Sequence, residues 1–326
     1  MNSILGMGNA LVDILVTLDN EELLKQFRLP KGSMQHVDSA VSAELWEAIR
    51  SLGVRVVAGG SAANTLTGIA ALGLPATFIG KTGDDELGRL FADDLALHGV
   101  TPCLLPSQAP TGRCTVSITP DAERTMATFL GAAIELSPDD IQPSMFAGYT
   151  YFHIEGYLVQ NHALLQRAVE LAKQQNLTVS LDLASYNVVE ANKQFLADII
   201  EKQVDIVFAN EAEAEAFTGY KPAEALRELS KYCRIAVVKK GSDGSLVRSG
   251  GEEYIQPAYP ANAVDATGAG DLYAAGFLYA HACGQSLRQC GKLASLVAAK
   301  VVETIGPRID RATWETVREI IRKQEE

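Results

Sequence analysis

The sequence has few cysteines and no long run of apolar residues. Its five cysteines form no Cys-x-x-Cys pair, and no histidine lies at metal-ligand spacing from them. Disulfide bonds and a structural zinc site are therefore not expected. No apolar stretch reaches the ~18 residues of a membrane span, and no basic leader with an apolar segment follows Met1. These absences predict a cytoplasmic protein without a membrane partner.

Positive charge is also scarce. The chain has 28 Lys and Arg against 40 Asp and Glu, which gives a formal net charge of −12. A surface of that average sign repels nucleic acids and anionic membranes, so neither is predicted as a partner. The Walker A pattern and the His-Arg-Asp and Asp-Phe-Gly motifs of protein kinases are missing as well. Any nucleotide site must therefore be of another kind.

What the sequence does contain is enough apolar material for a large core, with 47% hydrophobic residues in 326. Short β-branched runs alternate with helical patterns, which predicts an α/β fold whose parallel sheet binds ligands at the carboxyl ends of its strands. Residues ~14–38 and ~101–130 instead show patterns of antiparallel strands, and we interpret them as a small discontinuous lid on a single domain spanning residues 1–326. The runs interpreted as buried strands are residues 54–57, 77–79, 151–154, 178–181, 206–208 and 235–238.

The sharpest motif is Asp-Ala-Thr-Gly-Ala-Gly-Asp at residues 265–271, a glycine-rich turn that opens a helical pattern. Free N–H groups and the helix dipole would form an anion site there, and the glycines would let a phosphate approach closely. Asp271 falls in the first turn, where it could take a proton from an attacking hydroxyl. This layout favours phosphoryl transfer. Taken alone, the motif leaves an alternative equally open, in which the glycines permit a tight turn and Asp271 caps the helix.

Two segments before it could contact a substrate. Gly-Gly-Ser-Ala-Ala-Asn at residues 59–64 would let a ligand lie against backbone, and Asn64 offers both a donor and an acceptor. Residues 6–13 contain half of a dinucleotide-binding fingerprint, but Leu11 replaces its third glycine, which argues against a nicotinamide oxidoreductase. Asp13 could accept two hydrogen bonds from vicinal sugar hydroxyls. Alternatively, residues 59–64 form an ordinary strand-to-helix turn, and Asp13 is a solvated turn residue.

Two segments after the middle of the chain could contact a nucleotide. Asn-Glu-Ala-Glu at residues 210–213 follows an apolar strand, at the edge where cations and phosphates would gather. Alternatively, the segment is an ordinary helix start, where acidic residues are favoured by the helix dipole. Residues 237–244 join a buried strand to a Gly-Ser-Asp-Gly turn, which by itself indicates only a hairpin.

Together these segments resemble the ribokinase-like (phosphofructokinase B type) family of small-molecule kinases, and the resemblance spans nearly the whole chain. Within the family, the opening Gly-Met-Gly-Asn, the Gly-Gly-Ser and the run Thr111-Gly112-Arg113-Cys114 followed by Arg124 look most like the adenosine kinase branch, although such motifs also occur in bacterial sugar kinases. The motifs that carry the resemblance are Gly-Met-Gly-Asn-x-x-x-Asp at 6–13, Gly-Gly-Ser-Ala-Ala-Asn at 59–64, Asn-x-x-Glu at 210–213, Lys-Gly-x-x-Gly at 240–244 and Asp-x-Thr-Gly-Ala-Gly-Asp at 265–271.

The resemblance implies a three-layer α/β/α core of roughly nine strands with a small β-sheet lid, MgATP as phosphoryl donor and a sugar or nucleoside hydroxyl as acceptor. By similarity, the catalytic residues are Asp271 as general base, Gly268, Ala269 and Gly270 as anion-hole amides, and Arg124 as a cation that moves toward the transferring group. The acceptor would lie against Asp13, Gly59, Gly60 and Asn64, with Met126, Phe129, Leu130 and Tyr157 near a base or in the core of the small sheet. The nucleotide would contact Asn210, Lys240, Gly241, Ser242, Gly244 and Thr267, while Asn210 and Glu213 would organise Mg²⁺ through water.

The expected activity is transfer of the γ-phosphoryl group of MgATP to the 5′-hydroxyl of a nucleoside, with adenosine first. A sugar kinase of the same family, acting on ribose, fructose or 2-keto-3-deoxygluconate, is the alternative. A nucleoside-binding protein without catalysis is a further one. Activation by a monovalent cation such as K⁺, as in some relatives, and a monomeric or homodimeric state are left open by the sequence.

Overall fold

The structure, a computed structural model, describes residues 2–121 and 123–325. In these residues the core is a nine-stranded sheet, seven neighbouring strands of which run parallel. The central strands are apolar and rich in β-branched residues, because helices bury them on both faces. From edge to edge the strands are β14 (Glu252–Gln256), β13 (Ser245–Ser249), β12 (Ile235–Lys239), β11 (Ile206–Asn210), β10 (Thr178–Asp182), β9 (Tyr151–Glu155), β1 (Ile4–Met7), β5 (Ala76–Gly83) and β6 (Val100–Ser107).

Two layers of helices sandwich this sheet, which confirms the predicted three-layer α/β/α architecture. Among the described residues, the helices are too short or too polar to cross a bilayer. One face carries α3 (Ser61–Leu72), α4 (Glu86–Leu97), α9 (Ala269–Ala282), α10 (Leu287–Val302) and α11 (Arg311–Glu325). The other carries α5 (His162–Gln174), α6 (Tyr186–Gln203), α7 (Glu211–Thr218) and α8 (Pro222–Leu229). Short 3-10 helices lie at Gly131–Glu135, Pro138–Asp140, Pro143–Phe146, Gly156–Gln160 and Gly241–Asp243.

The described residues also form a second, five-stranded sheet, which we call the lid sheet. Helices α1 (Glu22–Gln26) and α2 (Ser39–Ile49) cover one of its faces through an apolar cluster that includes Ile14 and Val16. Because side chains alternate along a strand, Leu15 and its neighbour Met126 lie on the opposite face. Its strands, in order, are β3 (Met34–His36), β8 (Arg124–Phe129), β7 (Gly112–Ile118), β2 (Leu11–Thr17) and β4 (Arg55–Ala58).

Three sequence-based expectations about strands were wrong. The run at residues 54–57 belongs to the lid sheet rather than the parallel core, and β4 pairs antiparallel with β2. Residues 101–107 belong to β6, at the edge of the main sheet, where Pro102 and Pro106 are tolerated because an edge strand leaves backbone groups unpaired. The lid is a mixed sheet, since β2 pairs parallel with β7 and β3 with β8, while β7 and β8 are antiparallel as predicted.

Candidate active site

The first turn of α9 forms the centre of the candidate site. Gly268 precedes the helix with φ of +77°, a left-handed conformation that favours glycine, and an added Cβ would lie 2.8 Å from Pro307 Cβ. The N–H of Ala269 turns back to the carbonyl of Ala266 at 3.2 Å. The amides of Gly270 and Asp271 occupy the first helical turn, where N–H groups have no intrahelical partner and the dipole is positive. This end of the helix is therefore suited to an anion.

The Asp271 carboxylate is held by two side chains from α3. Ser61 Oγ donates to Oδ1 at 2.7 Å, and Asn64 Nδ2 donates to Oδ2 at 2.8 Å. Burial raises the pKa of Asp271 above its usual value, and these two donors act against that rise. The group is thus oriented by fixed donors and is a better proton acceptor than an exposed aspartate, as general base catalysis requires.

A buried cation lies beside the same helix turn. Lys239, the last residue of β12, forms an ion pair with Asp182 at the end of β10, with Nζ and Oδ2 2.6 Å apart. A Cβ added to Gly270 would lie only 3.0 Å from Lys239 Nζ, so the ammonium group borders the helix start. Although burial lowers the pKa of Lys239, the charges of Asp182 and Glu213 raise it overall, which keeps the lysine charged.

Asn210 and Glu213 form a reciprocal cap at the start of α7. Asn210 Nδ2 donates to Glu213 Oε1 at 2.6 Å, and the Asn210 N–H donates to Oε2 at 2.8 Å. Burial raises the pKa of Glu213 to about 7, although the charge of Lys239 acts to lower it. The Glu213 side chain borders a cleft, where its carboxylate oxygens could act as ligands of a cation.

The lid contributes Arg124, which forms an ion pair with Asp265. Asp265 Oδ1 also accepts the N–H of Thr267 at 2.8 Å, and Oδ2 accepts the N–H of Gly306 at 2.7 Å. Although burial acts to raise the pKa of Asp265, these donors hold it below its usual value. Asp265 therefore shapes the loop before α9 and fixes the Arg124 guanidinium beside it.

Asp13 lies on β2 of the lid sheet and faces the turn before α3. A Cβ on Gly59 would fall 2.4 Å from the Asp13 carboxylate, and one on Gly60, whose φ is +86°, would fall 2.6 Å from the Asn9 carbonyl. At both positions a neighbouring group lies so close to the backbone that a side chain would not fit. Burial raises the pKa of Asp13 to about 7, with Arg308 acting to lower it and the charge of Asp271 to raise it.

The start of α9 and the charged groups beside it surround a cleft of about 740 Å³ between the lid and the carboxyl ends of the main strands. That volume lies within the range of small-molecule sites. Among the predicted residues, the acceptor-side Asp13, Gly59, Gly60 and Asn64 are not part of this lining, and neither are Lys240 and Ser242. The predicted residues that do line it are Arg124, Met126, Tyr157, Asn210, Glu213, Gly241, Gly244, Thr267, Gly268, Ala269, Gly270 and Asp271.

Comparison with known proteins assigns the family. The pattern of the pfkB family of carbohydrate kinases matches residues 35–314, most of the chain. The chain belongs to this family. It is accordingly a phosphotransferase that acts on a hydroxyl group, a sugar or nucleoside kinase, and kinases of this family use ATP, generally with Mg²⁺.

The solved structures and curated relatives that resemble this pfkB kinase include proteins named as sugar kinases and proteins named as adenosine kinases. A probable sugar kinase from Rhizobium etli is 34% identical with a TM-score of 0.89, over 98% of each chain. The adenosine kinase of Sinorhizobium meliloti is also 34% identical, with a TM-score of 0.88, over 98% of this chain and 99% of its own. The adenosine kinase of Schizophyllum commune is 28% identical over 93% of this chain and 95% of its own. The family is thus settled and the acceptor is not.

The site of this pfkB kinase also contains residues that the sequence did not reveal. Glu155, at the end of β9, accepts the N–H and Nδ2 of Asn9 at 2.9 and 2.8 Å and the N–H of Ala62 at 3.0 Å. Burial raises its pKa to about 7. Ser61 and Lys239 were part of motifs, but only the fold shows that they face Asp271 and the cleft. Asp182 and Arg308 had no sequence signal, because the side chains they contact, Lys239 for Asp182 and Asp94 and Asn64 for Arg308, lie 57 to 244 residues away in the chain.

The donor set agrees with a magnesium ion that arrives with the nucleotide. Within residues 2–121 and 123–325, no group of three His, Cys, Asp or Glu side chains is arranged to hold a metal. Mg²⁺ usually keeps several waters and binds through one or two carboxylates plus substrate phosphates. Glu213, with Asn210 beside it, lines the same cleft as the start of α9 and could supply such a carboxylate.

Proposed function

We propose that this kinase transfers the γ-phosphoryl group of MgATP to the 5′-hydroxyl of a nucleoside, with adenosine as the preferred acceptor. The observation that carries the proposal is a second cavity of about 490 Å³ next to the main cleft. Tyr157 lines both volumes, so they adjoin. The second cavity combines aliphatic walls with four polar side chains. Its aliphatic residues are Leu130, Ala133, Ile134, Leu136, Leu158 and Leu164, and its polar ones are Asn9, Gln160, Asn161 and His162.

Such walls suit a heteroaromatic base better than a free sugar. A purine presents apolar faces and a polar edge, which match aliphatic and amide side chains respectively. A free sugar presents hydroxyl groups on most sides, and burying those against aliphatic walls without partners is unfavourable. Met126, from the lid sheet, lines the main cleft, and Leu130 lines the second cavity.

The Asp13 and Asp271 carboxylates would contact different hydroxyl groups of the acceptor. Asp13 would accept hydrogen bonds from the vicinal ribose hydroxyls, and Asp271 would receive the proton of the 5′-hydroxyl as it attacks phosphorus. Both carboxylates lie at the start of α3, Asp13 against Gly59 and Asp271 against Ser61. This arrangement agrees with one sugar ring contacting both.

On the donor side, the γ-phosphate would lie at the start of α9, beside Lys239. Phosphoryl transfer passes through a loose transition state, so the protein mainly aligns the reactants and stabilises the equatorial oxygens. During the transfer, the Arg124 guanidinium would leave Asp265 and contact the transferring phosphoryl group. Gly241, Gly244 and Thr267 would border the nucleotide, and Asn210 with Glu213 would hold Mg²⁺ through water.

A sugar kinase of the same family is the second candidate, because a probable sugar kinase is among the most similar solved structures. The machinery on the main sheet would serve a sugar hydroxyl equally well. A nucleoside-binding protein without catalysis is disfavoured, since a base, a cation and an anion site all surround one cleft. Activation by K⁺, a cytoplasmic location and a monomeric or homodimeric state stay predictions.

The acceptor is tested by incubating the enzyme with MgATP and adenosine, inosine, ribose, fructose or 2-keto-3-deoxygluconate and measuring release of ADP. The highest kcat/KM is expected with adenosine. The Asp271→Asn protein, purified in the same way, controls for contaminating kinases. Turnover confined to a free sugar would replace the nucleoside proposal with the sugar kinase, and adenosine binding without turnover of any acceptor would favour the non-catalytic alternative.

A further inference from the structure

The loop at residues 304–309 contacts the turn before α9. Gly306 donates its N–H to Asp265 Oδ2 at 2.7 Å, and Pro307 packs where a Cβ on Gly268 would lie. Thr304 Oγ1 donates to the Val301 carbonyl at 2.8 Å and ties the loop to the end of α10. This loop therefore connects the segment after α10 to both sides of the turn that begins α9.

Arg308, in the same loop, uses its guanidinium to join three elements. Its Nη2 donates to Asp94 Oδ2 on α4 at 2.9 Å and to the Ala58 carbonyl at the end of β4 at 3.1 Å. Its Nη1 donates to Asn64 Oδ1 on α3 at 2.6 Å. The Arg308 and Asp94 side chains are only 11% and 19% exposed, so this ion pair is held in place.

The contact with Asn64 has a chemical consequence. A carboxamide has one accepting oxygen and one donating NH₂ group, and it can turn to exchange them. A guanidinium only donates, so Asn64 must direct Oδ1 to Arg308 and is left with Nδ2 for Asp271. Without Arg308, Oδ1 would lose this donor and the contact with Asp271 would have to hold the amide alone, so the side chain could move from the position that aims Nδ2 at Asp271.

We propose that Arg308 is a positioning residue for phosphoryl transfer, because it fixes the carboxamide of Asn64 so that the NH₂ group holds Asp271. The inference rests on the proposed function only in taking Asp271 as the base, whichever hydroxyl compound is the acceptor. Arg308 acts through Asn64 and touches no reacting atom. Asp94, which anchors the guanidinium, belongs to the same chain of contacts.

A double-mutant cycle with Arg308→Met and Asn64→Ala tests this relay with the acceptor that the wild type uses best. Residues coupled through a shared contact give non-additive effects. We expect Arg308→Met to lower kcat about 10-fold when Asn64 is present and less than about 3-fold in the Asn64→Ala background. The KM for MgATP should change little, because the start of α9 and Lys239 are untouched.

Stability is controlled separately. Arg308→Met leaves Asp94 without the guanidinium, so Arg308→Met with Asp94→Asn is made as well. The cycle is repeated from that protein if the single variant unfolds. Arg318→Met is the matched control, because Arg318 Nε donates to the Ala71 carbonyl at 2.9 Å and ties α11 to α3 away from the cleft. It should lower the thermal midpoint without lowering kcat.

The outcomes separate the two proposals. Equal losses on substituting Arg308 with and without Asn64, or no loss at all, would overturn the relay. Arg308→Lys gives a further check, since one ammonium group cannot reproduce the planar fork that reaches Asp94 and Asn64 together, and it should recover only part of kcat. A wild type that phosphorylates a free sugar and not adenosine would instead refute the proposed function, and the same cycle run with that sugar would still decide the relay.

Discussion

The two walls of the cleft are built in different ways. The wall on the main sheet consists of neighbouring strand ends and helix starts, where each functional group is held by a partner close in space. Lys239 is paired with Asp182, and Asn210 with Glu213. The lid wall belongs to a small mixed sheet, on which Arg124 lines the cleft from β8, while Asp13 on β2 lies outside that lining, against the turn before α3.

This difference separates the reaction from the choice of acceptor. The main-sheet wall contains the parts that any phosphoryl transfer needs, an anion site, a base and a cation. The lid wall and the adjoining cavity contain the groups that would contact the rest of the acceptor. Relatives named as adenosine kinase and as probable sugar kinase can therefore share this fold at TM-scores of 0.88 and 0.89. Family membership fixes the reaction class, and in the proposed function the lid side decides the substrate.

The largest expected effect concerns the rigidity of the main-sheet wall. Lys239→Met would leave the Asp182 carboxylate, whose side chain is 8% exposed, buried without its cation. We expect the free energy of unfolding to fall by about 3–5 kcal/mol. The neighbouring Lys240→Met is the control and should cost less than about 1 kcal/mol, since Lys240 lies 3.9 Å from an exposed Asp243. Chemical denaturation measures both, and equal losses would contradict this account of the wall.

The base on the same wall gives the second prediction. Asp271→Asn should reduce kcat by about 10²-fold or more, because a carboxamide cannot take the proton of the hydroxyl. Binding of MgATP and of the acceptor, measured by calorimetry, should be largely retained. Asp84→Asn, whose side chain is 91% exposed, is the matched control and should leave kcat unchanged. An Asp271→Asn enzyme with normal turnover would remove Asp271 from its assigned role.

The third prediction moves to the lid wall. Asp13→Asn should raise the KM for the acceptor by about 10-fold or more, since hydrogen bonds to a charged group contribute about 1.5–3 kcal/mol. The KM for MgATP should stay within about 2-fold, because the nucleotide would contact the other wall. Asp19→Asn, exposed on the same lid, serves as control. A parallel rise in both KM values would erase the distinction between the walls.

The smallest effect is a pH dependence that also belongs to the lid wall. Asp13 has a pKa raised to about 7 by burial, so it gains a proton as the pH falls through that value and loses capacity to accept hydrogen bonds. The KM for the acceptor should therefore increase about 10-fold from pH 8 to pH 6. Asp13→Asn should show a flatter profile. A wild-type KM that is constant over this range would mean that Asp13 stays ionised or does not contact the acceptor.

The parts that the sequence revealed are those whose contacts are local. The motif at residues 265–271 carries its own turn and helix start, and Asn210 and Glu213, which the sequence also pointed to, lie only three residues apart and contact each other. The interpretation of residues 54–57 as a buried core strand failed because an apolar run predicts a strand but not which sheet it joins or how deeply it is buried.

The parts that stayed hidden depend on contacts between distant segments. Lys239 and Lys240 are adjacent in sequence, and only the strand pairing shows that Lys239 lies beside Asn210 at the cleft. Glu155 contacts Asn9 across 146 residues, and Arg308 contacts Asn64 across 244. No local pattern distinguishes such residues from ordinary surface charges.

The most direct test of the central claim is the position of the new phosphate ester. After incubation of the wild-type enzyme with MgATP and adenosine, the product is analysed by ³¹P and ¹H NMR. The account predicts a single monophosphate esterified at the 5′-oxygen, because the opposite end of the ribose would be held by Asp13 while its 5′-hydroxyl meets Asp271. A phosphate on a 2′- or 3′-oxygen, or no transfer to adenosine at all, would contradict it.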